Sequence, residues 1–313
     1  MRQAVVETEG LTKVYPNGVQ ALRGVSVRLD SRVSCVIGRN GAGKTTLVRI
    51  LSTQLRPTSG VARVLGLDVV SERSALRRRI CSIPQEARPM GVASPYEHVV
   101  MYLVARGWSF RDASREARRV LREVGLGDFM DTPTDELSGG MKRKGFLAMA
   151  LAAQAELTFL DEPTAGLDPV SRLETWGAMR RLRSYVLLTT HDMAEAEALC
   201  EYLVLLDSGR VVVEGTPEQL MAPLKGKVRV EGYGDIVVGG LRVSYMSPEE
   251  ARALVEEGMK VAIRPVSLDD VFIVNGLVPP SQEPEGGEAW GGRGSGSTRG
   301  SSSPSPGSTA GRR

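Results

Sequence analysis

The chain has 313 residues, of which 42% are hydrophobic and 25% are charged, which is enough for one large globular domain and a smaller one. The net charge is only +3, which is too small to indicate a surface for nucleic acid or for an anionic membrane, and we expect no nucleic-acid partner. The three cysteines, Cys35, Cys81 and Cys200, are far apart and form neither a disulfide framework nor a CxxC metal pattern, so a reducing cytosol fits.

The N-terminal residues, Met1–Glu7, contain no long apolar core and do not have the pattern of a secretory signal. No window approaches the roughly 18 consecutive apolar residues that indicate a membrane-spanning helix. If this protein serves transport, we therefore expect the channel to be another polypeptide.

Apolar runs alternate with helical segments, which predicts an α/β fold with a mostly parallel sheet and helices on both faces. The predicted strands are 25–29, 33–37, 80–83, 157–160, 186–190 and 203–206. The predicted helices are 46–54, a short basic helix that starts from an N-cap at 71–74 and ends at Arg79, and most of 96–124. The charge run Arg77–Arg79 is interpreted as a solvated helix face rather than a nucleic-acid patch.

The composition changes near Gly215–Pro217, which predicts a main domain over 1–217, with a helical subdomain near 86–150, and a small α+β domain over 218–278. The short strands predicted in the small domain are 228–230, 236–238, 241–245 and 261–263. Ser247 and Ser267 each have the pattern of a helix N-cap with an acidic residue three positions later. From 279 to 313 the chain is rich in Gly, Ser, Pro and Arg, which predicts a disordered tail.

A glycine-rich loop follows the predicted strand 33–37 and precedes a predicted helix, and its sequence matches G-x-x-x-x-G-K-[ST]. The loop consists of Gly38, Arg39, Asn40, Gly41, Ala42, Gly43, Lys44 and Thr45, with Thr46 next in the helix. We expect its backbone N–H groups to surround a β-phosphate, Lys44 to reach the β- and γ-phosphate oxygens, and Thr45 to ligate Mg²⁺.

A second phosphate-binding pattern lies at Ser138, Gly139 and Gly140, which open a helix. The two glycines let the backbone approach a ligand closely, and the helix N-terminus offers free N–H groups and a positive dipole. Two such sites in a chain that binds one nucleotide suggest that each site completes the other in a second copy.

The apolar strand 157–160 ends in Asp161 and Glu162, which resembles a Walker B motif. An Asp at a strand tip can hold Mg²⁺ through water, and the adjacent Glu can orient and deprotonate the attacking water. The segment Pro163–Pro169, which includes Asp168, makes this assignment specific.

Three further side chains are candidates for the same site. His191 directly follows the strand 186–190, at the place where γ-phosphate sensing needs a histidine. His98 is interpreted as an ordinary helix residue. Gln85 follows the strand 80–83 and can contact metal or water. Tyr15 can offer a ring that stacks on adenine.

This ordered set of motifs resembles the nucleotide-binding subunit of ABC transporters over residues 4 to about 217. The resemblance implies a head-to-tail dimer that binds Mg²⁺ and ATP. The residues implied to bind one face of the nucleotide are Tyr15, Gly38–Thr46, Gln85, Asp161, Glu162 and His191. In the partner, Ser138–Gly140 close the other face, and Asp168 bridges the two sites.

A finer resemblance lies in 55–66, in Met141 where glutamine is usual, and in Ser267–Phe272. These segments look like the daunorubicin-resistance type of ATP-binding subunit, which pairs with separate ABC-2 type membrane subunits and exports drugs, lipids or other amphiphiles. Arg39 departs from the pattern because it replaces the common proline.

The sequence thus predicts an ATPase that is cytoplasmic and peripheral on the inner face of the cell membrane. Its expected partners are a second ATP-binding subunit, identical or paralogous, and a separate membrane-spanning permease. A soluble ABC ATPase without a transport role and an importer ATPase are the alternatives. The soluble class is disfavoured because the chain has a single cassette and fewer than about 100 residues lie between the phosphate loop and Ser138. The importer class is disfavoured because the C-terminal domain is small.

Overall fold

A six-stranded sheet forms the centre of the computed structural model, which describes residues 4–276. The strand order is β10-β9-β3-β8-β7-β6, and every neighbouring pair is parallel except β9 and β10. Its strands are β3 (Val33–Ile37), β6 (Ile80–Ile83), β7 (Leu157–Asp161), β8 (Tyr185–Thr190), β9 (Tyr202–Asp207) and β10 (Arg210–Gly215). The carboxyl ends of β3, β7 and β8 therefore meet at one edge of the sheet, where the phosphate loop and the Asp161–Glu162 pair follow.

A second, antiparallel sheet has the strand order β2-β1-β4-β5. Its strands are β1 (Val6–Val14), β2 (Gln20–Leu29), β4 (Ser59–Val64) and β5 (Leu67–Asp68). Buried residues of this sheet, such as Leu11 and Leu22, share a core with Phe159 of β7 and with the helix after the phosphate loop. The sheet thus supports the loop from one side.

The helices between these strands are α1 (Lys44–Leu51), α2 (Arg73–Arg79), α3 (Pro95–Ala105), α4 (Phe110–Glu123), α5 (Gly139–Ala152), α6 (Pro169–Met179) and α7 (Met193–Leu199). Short 3-10 turns lie at Gly127–Phe129, Thr134–Glu136 and Ala222–Leu224. Helices α3, α4 and α5 pack on one another around Leu103, Leu121 and Leu147, and they form the region that the sequence predicts as a helical subdomain.

The C-terminal part of the described chain has a sheet of its own, with antiparallel order β12-β11-β13. Its elements are α8 (Pro217–Met221), β11 (Val228–Val238), β12 (Leu241–Met246), α9 (Pro248–Glu256), β13 (Ala262–Pro265) and α10 (Leu268–Val274). Leu268, Val271 and Phe272 of α10 pack in the same core cluster as Met193 of α7 and Leu205 of β9. The C-terminal helix is thus anchored on the helix that follows His191.

The predicted α/β class is confirmed, and several predicted boundaries are wrong. The two predicted strands 228–230 and 236–238 form one strand, which bends where the register shifts between Glu231 and Ile236. Ser71 does not cap α2: its backbone N–H and hydroxyl both donate to Asp68, and Glu72 holds the N-cap position. The predicted tail, 279–313, lies outside the described residues.

Candidate active site

The phosphate loop adopts its shape because three glycines occupy positions that other residues tolerate poorly. Gly41 and Gly43 have φ angles of 82° and 107°, in the left-handed region that favours glycine. A Cβ atom on Gly38 would overlap the carbonyl oxygen of Leu206 in β9. The loop therefore passes close to the sheet and ends at the N-terminus of α1, which is a favourable position for an anion.

Lys44 begins α1 and turns its side chain back over this loop. Its ammonium group donates to the carbonyl oxygens of Gly38 at 2.8 Å and Arg39 at 3.2 Å. The residue is only 4% exposed, so its charge is fixed in place at the loop rather than free in solvent.

Asp161 ends β7 beside the phosphate loop and is 2% exposed. Its Oδ1 accepts hydrogen bonds from Thr45 Oγ1 at 3.2 Å and from Thr189 Oγ1 at 2.5 Å. The sequence interpretation missed Thr189, although a threonine inside the buried strand 185–190 needs a hydrogen-bond partner. Thr189 holds Asp161 in the orientation that places its carboxylate next to Thr45.

Glu162 is the point at which the predicted residues converge. Its Oε1 lies 3.2 Å from Lys44 Nζ, while its Oε2 accepts from Gln85 Nε2 at 3.1 Å and lies 3.3 Å from His191 Nδ1. The φ angle of Glu162 is 46°, a left-handed conformation that is uncommon for a residue with a side chain. Its backbone N–H donates to both the carbonyl and the hydroxyl of Thr189, which holds this conformation.

Most of these side chains line a cavity of about 540 Å³, although Asp161 does not. A cavity of this size suits a small-molecule ligand. Its lining residues are Val19, Ala21, Asn40, Gly41, Gly43, Lys44, Thr45, Thr46, Gln85, Glu162, Ala165 and His191. Tyr15 is not among them: its hydroxyl lies 3.2 Å from Thr46 Oγ1 at the edge of the cavity. Val19 and Ala21, which no motif indicates, line the cavity instead.

Ser138, Gly139 and Gly140 do not line this cavity. Ser138 caps α5 by accepting from the N–H of Met141 at 3.2 Å, so its hydroxyl stands at the helix N-terminus as the sequence predicts. Asp168 caps α6 by accepting from Val170 and Ser171, and the hydrogen bond with Ser171 holds the pKa of Asp168 below its usual value.

The N-termini of α5 and α6 lie side by side. A Cβ atom on Gly140 would come within 2.6 Å of Ser171 Oγ, so the glycine permits this contact. Ser138 and Asp168 therefore stand at two neighbouring helix N-termini outside the cavity.

The oxygen atoms of Thr45 and Asp161 fit a hard cation. Mg²⁺ prefers oxygen ligands and in nucleotide sites uses one or two protein groups together with phosphates and water. Within residues 4–276 no group of three or more His, Cys, Asp or Glu residues could hold a metal by itself. The amide nitrogen of Gln85 donates a hydrogen bond to Glu162. The amide oxygen of Gln85 therefore remains as the atom that could reach a metal or water.

Comparison with known proteins gives one consistent result. Residues 22–165 match the ABC transporter family model. The daunorubicin/doxorubicin resistance ATP-binding protein DrrA of Streptomyces peucetius is 40% identical over 227 residues, which cover 71% of this chain and 68% of that protein. The daunorubicin resistance ATP-binding protein DrrA3 of Streptomyces coeruleorubidus is 34% identical over 304 residues, which cover 87% of this chain and 96% of that protein.

A solved structure of an ATP-binding subunit of an ABC transporter superposes with a TM-score of 0.66 over 87% of this chain and 99% of the other. At 24% identity this likeness concerns the fold alone. In residues 4–276, helices are too short or too polar to cross a bilayer. The chain belongs to the ABC transporter family, as an ATP-binding subunit with ATPase activity.

Proposed function

We propose that this chain supplies the ATP hydrolysis that drives an ABC-2 type exporter of drugs or other amphiphiles. The relatives named for daunorubicin resistance support the exporter class. The observation that carries the catalytic assignment is the convergence of Lys44, Gln85 and His191 on the carboxylate of Glu162. This carboxylate stands beside the phosphate loop, where it can take a proton from the water that attacks the γ-phosphate.

In this proposal each side chain has a separate task. The loop N–H groups and Lys44 bind the phosphates, and the positive end of α1 favours their charge. Gln85 and His191 hold Glu162 Oε2, so the base keeps one orientation while Lys44 moves from Glu162 to the phosphates. Thr45 and Asp161 would hold Mg²⁺, which neutralises charge on the phosphates when it is bound.

A second copy completes the site. Ser138–Gly140 lie outside the cavity that Lys44 lines, yet the N-terminus of α5 is suited to a phosphate group. We therefore assign Ser138–Gly140 and the neighbouring Asp168 to the nucleotide of the partner in a head-to-tail dimer. Two ATP molecules then lie between the two copies and hold the dimer closed, and their hydrolysis lets the dimer open again.

The test of this arrangement uses two inactive variants, Ser138→Arg and Lys44→Ala. If each site is shared between two chains, a mixed dimer has one intact site, which is formed by Lys44 of the Ser138→Arg chain and Ser138 of the Lys44→Ala chain. The other site of the same dimer has both defects. The mixture should regain ATPase activity that neither variant has alone. If Ser138 served the nucleotide of its own chain, every site in the mixture would be defective and no activity would return.

The membrane subunit is expected to dock beside the loop that follows Gln85. Met90 and Val92 in this loop are 55% and 89% exposed, and a small apolar depression next to them is lined by Pro89, Pro95, Leu137, Met141, Phe146 and Met149, among others. Exposed apolar side chains of this kind mark a protein contact, and an amphipathic helix of the membrane subunit can supply the apolar face that covers them. Because the loop joins the Glu162 site to the α3–α5 region, docking there would link transport to nucleotide binding.

A further inference from the structure

Glu195 is a buried carboxylate that the proposed chemistry does not use. It lies on α7, four residues after His191, and its accessible surface is 0%. Its Oε1 accepts hydrogen bonds from Thr164 Oγ1 at 2.8 Å and from Trp176 Nε1 at 3.1 Å. Thr164 belongs to the segment that joins Glu162 to Asp168, and Trp176 belongs to α6. One carboxylate oxygen therefore ties together three elements of the candidate site.

The other oxygen of Glu195 is less well satisfied. Among residues 4–276, Oε2 accepts no hydrogen bond of normal geometry. Burial raises the pKa of Glu195. The side chains of Thr190, Thr164 and Trp176 partly oppose this rise, because they interact favourably with the charged carboxylate. A buried carboxylate with an unpaired oxygen is costly, and such a group usually has a functional or structural reason.

Arg143 on α5 is the corresponding unpaired cation. Its Nη1 is buried and has no hydrogen-bond partner within the described part of the chain. Helix α5 packs against α6, which carries Trp176, the hydrogen-bond partner of Glu195. Burial lowers the pKa of Arg143, and the negative charge of Glu195 partly opposes this shift. Arg143 lies five residues after Ser138 on the helix that is proposed to reach the partner's nucleotide.

We propose that Glu195 is a positioning residue that couples the Glu162–Asp168 segment and α6 to the helix behind His191, and that it engages Arg143 when the ATP-bound dimer closes. This inference rests on the proposed dimer function and deepens it. Through Thr164, Glu195 acts on the segment that carries Asp168, and through Arg143 it acts on the helix that carries Ser138. The starts of α5 and α6, which carry Ser138 and Asp168 toward the partner's nucleotide, are thereby linked to α7, the helix that follows His191 of their own chain.

The test is a double-mutant cycle with Glu195→Gln and Arg143→Gln in the full chain, measured as kcat and KM for Mg-ATP. Glutamine keeps the size of Glu195 and an oxygen for Thr164 and Trp176, and it removes the charge. Each single change should lower kcat about tenfold, as expected for a lost hydrogen bond to a charged group, with KM within about twofold. The double variant should be no slower than the slower single variant, because both changes remove the same interaction.

Glu197→Gln is the matched control, since Glu197 lies exposed on the same helix, and it should leave kcat unchanged. A purely structural role predicts that Glu195→Gln lowers the melting temperature, whereas our proposal predicts an unchanged or higher one, because a buried charge is removed. A normal kcat in Glu195→Gln, or single effects that multiply in the double variant, overturns the inference.

A second measurement covers the case in which Glu195→Gln does not fold. In a Trp108→Phe, Trp290→Phe background, Trp176 is the sole tryptophan, and its indole N–H reports the contact with Glu195. With hydrolysis blocked by Glu162→Gln, ATP should change the Trp176 emission, and Arg143→Gln should abolish that change. An ATP response that persists in Arg143→Gln contradicts the coupling. Failure of the Ser138→Arg and Lys44→Ala mixture to regain activity would instead reject the dimer function, and the inference with it.

Discussion

The ammonium group of Lys44 and the carboxylate of Glu162 form a buried ion pair with a separation of 3.2 Å. Both residues are at most 5% exposed, so each charge depends on the other for compensation. Under the proposed function, the phosphates of an incoming nucleotide need Lys44, and the attacking water needs Glu162 as a base. We therefore infer that the arriving phosphates compete with Glu162 for Lys44, and that nucleotide binding frees the carboxylate for its reaction.

We predict that Glu162→Gln retains ATP binding and loses turnover by about 10²- to 10⁴-fold, the usual contribution of a general base. The amide keeps the shape of the side chain, cannot accept the proton, and no longer holds Lys44 as a counter-ion. ATP affinity, measured by equilibrium dialysis, should consequently equal or exceed that of the parent. Glu86→Gln is the control, because Glu86 is exposed and pairs only loosely with Arg49, at 3.5 Å. Wild-type turnover in Glu162→Gln would remove Glu162 from the role of base.

A second prediction concerns the contact between α5 and α6. Gly140→Ala places a Cβ 2.6 Å from Ser171 Oγ, so it should destabilise the fold by about 1–3 kcal/mol, as overpacking usually does. Gly139→Ala is the matched control at the same helix start, since its Cβ meets no atom within 4 Å. Urea unfolding measures both, and Ser171→Gly should restore the stability of Gly140→Ala. Equal stability of the two alanine variants would contradict the close packing.

The parts of the fold that could be predicted from the sequence are those with short-range signals. The sequence predicts the strand 33–37 with its observed bounds, because a run of apolar residues ends at a glycine-rich loop. Ser247 caps α9 with the reciprocal hydrogen bonds to Glu250 that its sequence pattern indicates. These features depend on residues within a few positions of one another, so no knowledge of the tertiary structure is needed.

The rest depends on contacts between distant residues. The sequence does not predict strands β1 and β4, because they pair across more than 40 positions and have many exposed residues. The hydrogen bonds of Glu195 to Thr164 and Trp176 span 31 and 19 positions. A glutamate on an ordinary amphipathic helix gives no sign that it is buried. Val19, which directly precedes β2, and Ala21 within β2 likewise line the cavity only because the start of this strand passes beside the phosphate loop.

The third prediction is a pH dependence of stability that comes from Glu195. Burial raises its pKa in the folded protein above the ordinary value of 4.5. A carboxyl group with a raised folded pKa favours folding while it is protonated, and this contribution is lost as the pH rises through the raised pKa. Relative to Glu195→Gln, the parent should therefore lose stability as the pH increases from about 4.5. Urea unfolding at several pH values measures the difference between the two proteins. A difference that does not change with pH would indicate that Glu195 is not the titrating group.

The last prediction locates the membrane partner. Val92 is 89% exposed. The loop that carries it is held by His98, whose Nε2 accepts a hydrogen bond from the backbone N–H of Met90 at 2.8 Å. Val92→Glu should lower co-purification with the membrane subunit from detergent extract by about tenfold, as expected when a charge is introduced at the centre of an apolar contact. It should leave the melting temperature unchanged, because the side chain is already in solvent.

Val237→Glu is the control for this experiment, because Val237 is 57% exposed on the three-stranded C-terminal sheet. If the membrane subunit docks beside Gln85, Val237→Glu should co-purify as well as the parent does, since a charge on a surface outside the contact leaves binding unaffected. If Val237→Glu alone prevents co-purification, the docking surface lies on the C-terminal sheet. The Gln85 loop would then sense the nucleotide without contacting the membrane subunit, and coupling would have to pass through α10 and α7, which pack against each other at Phe272 and Met193.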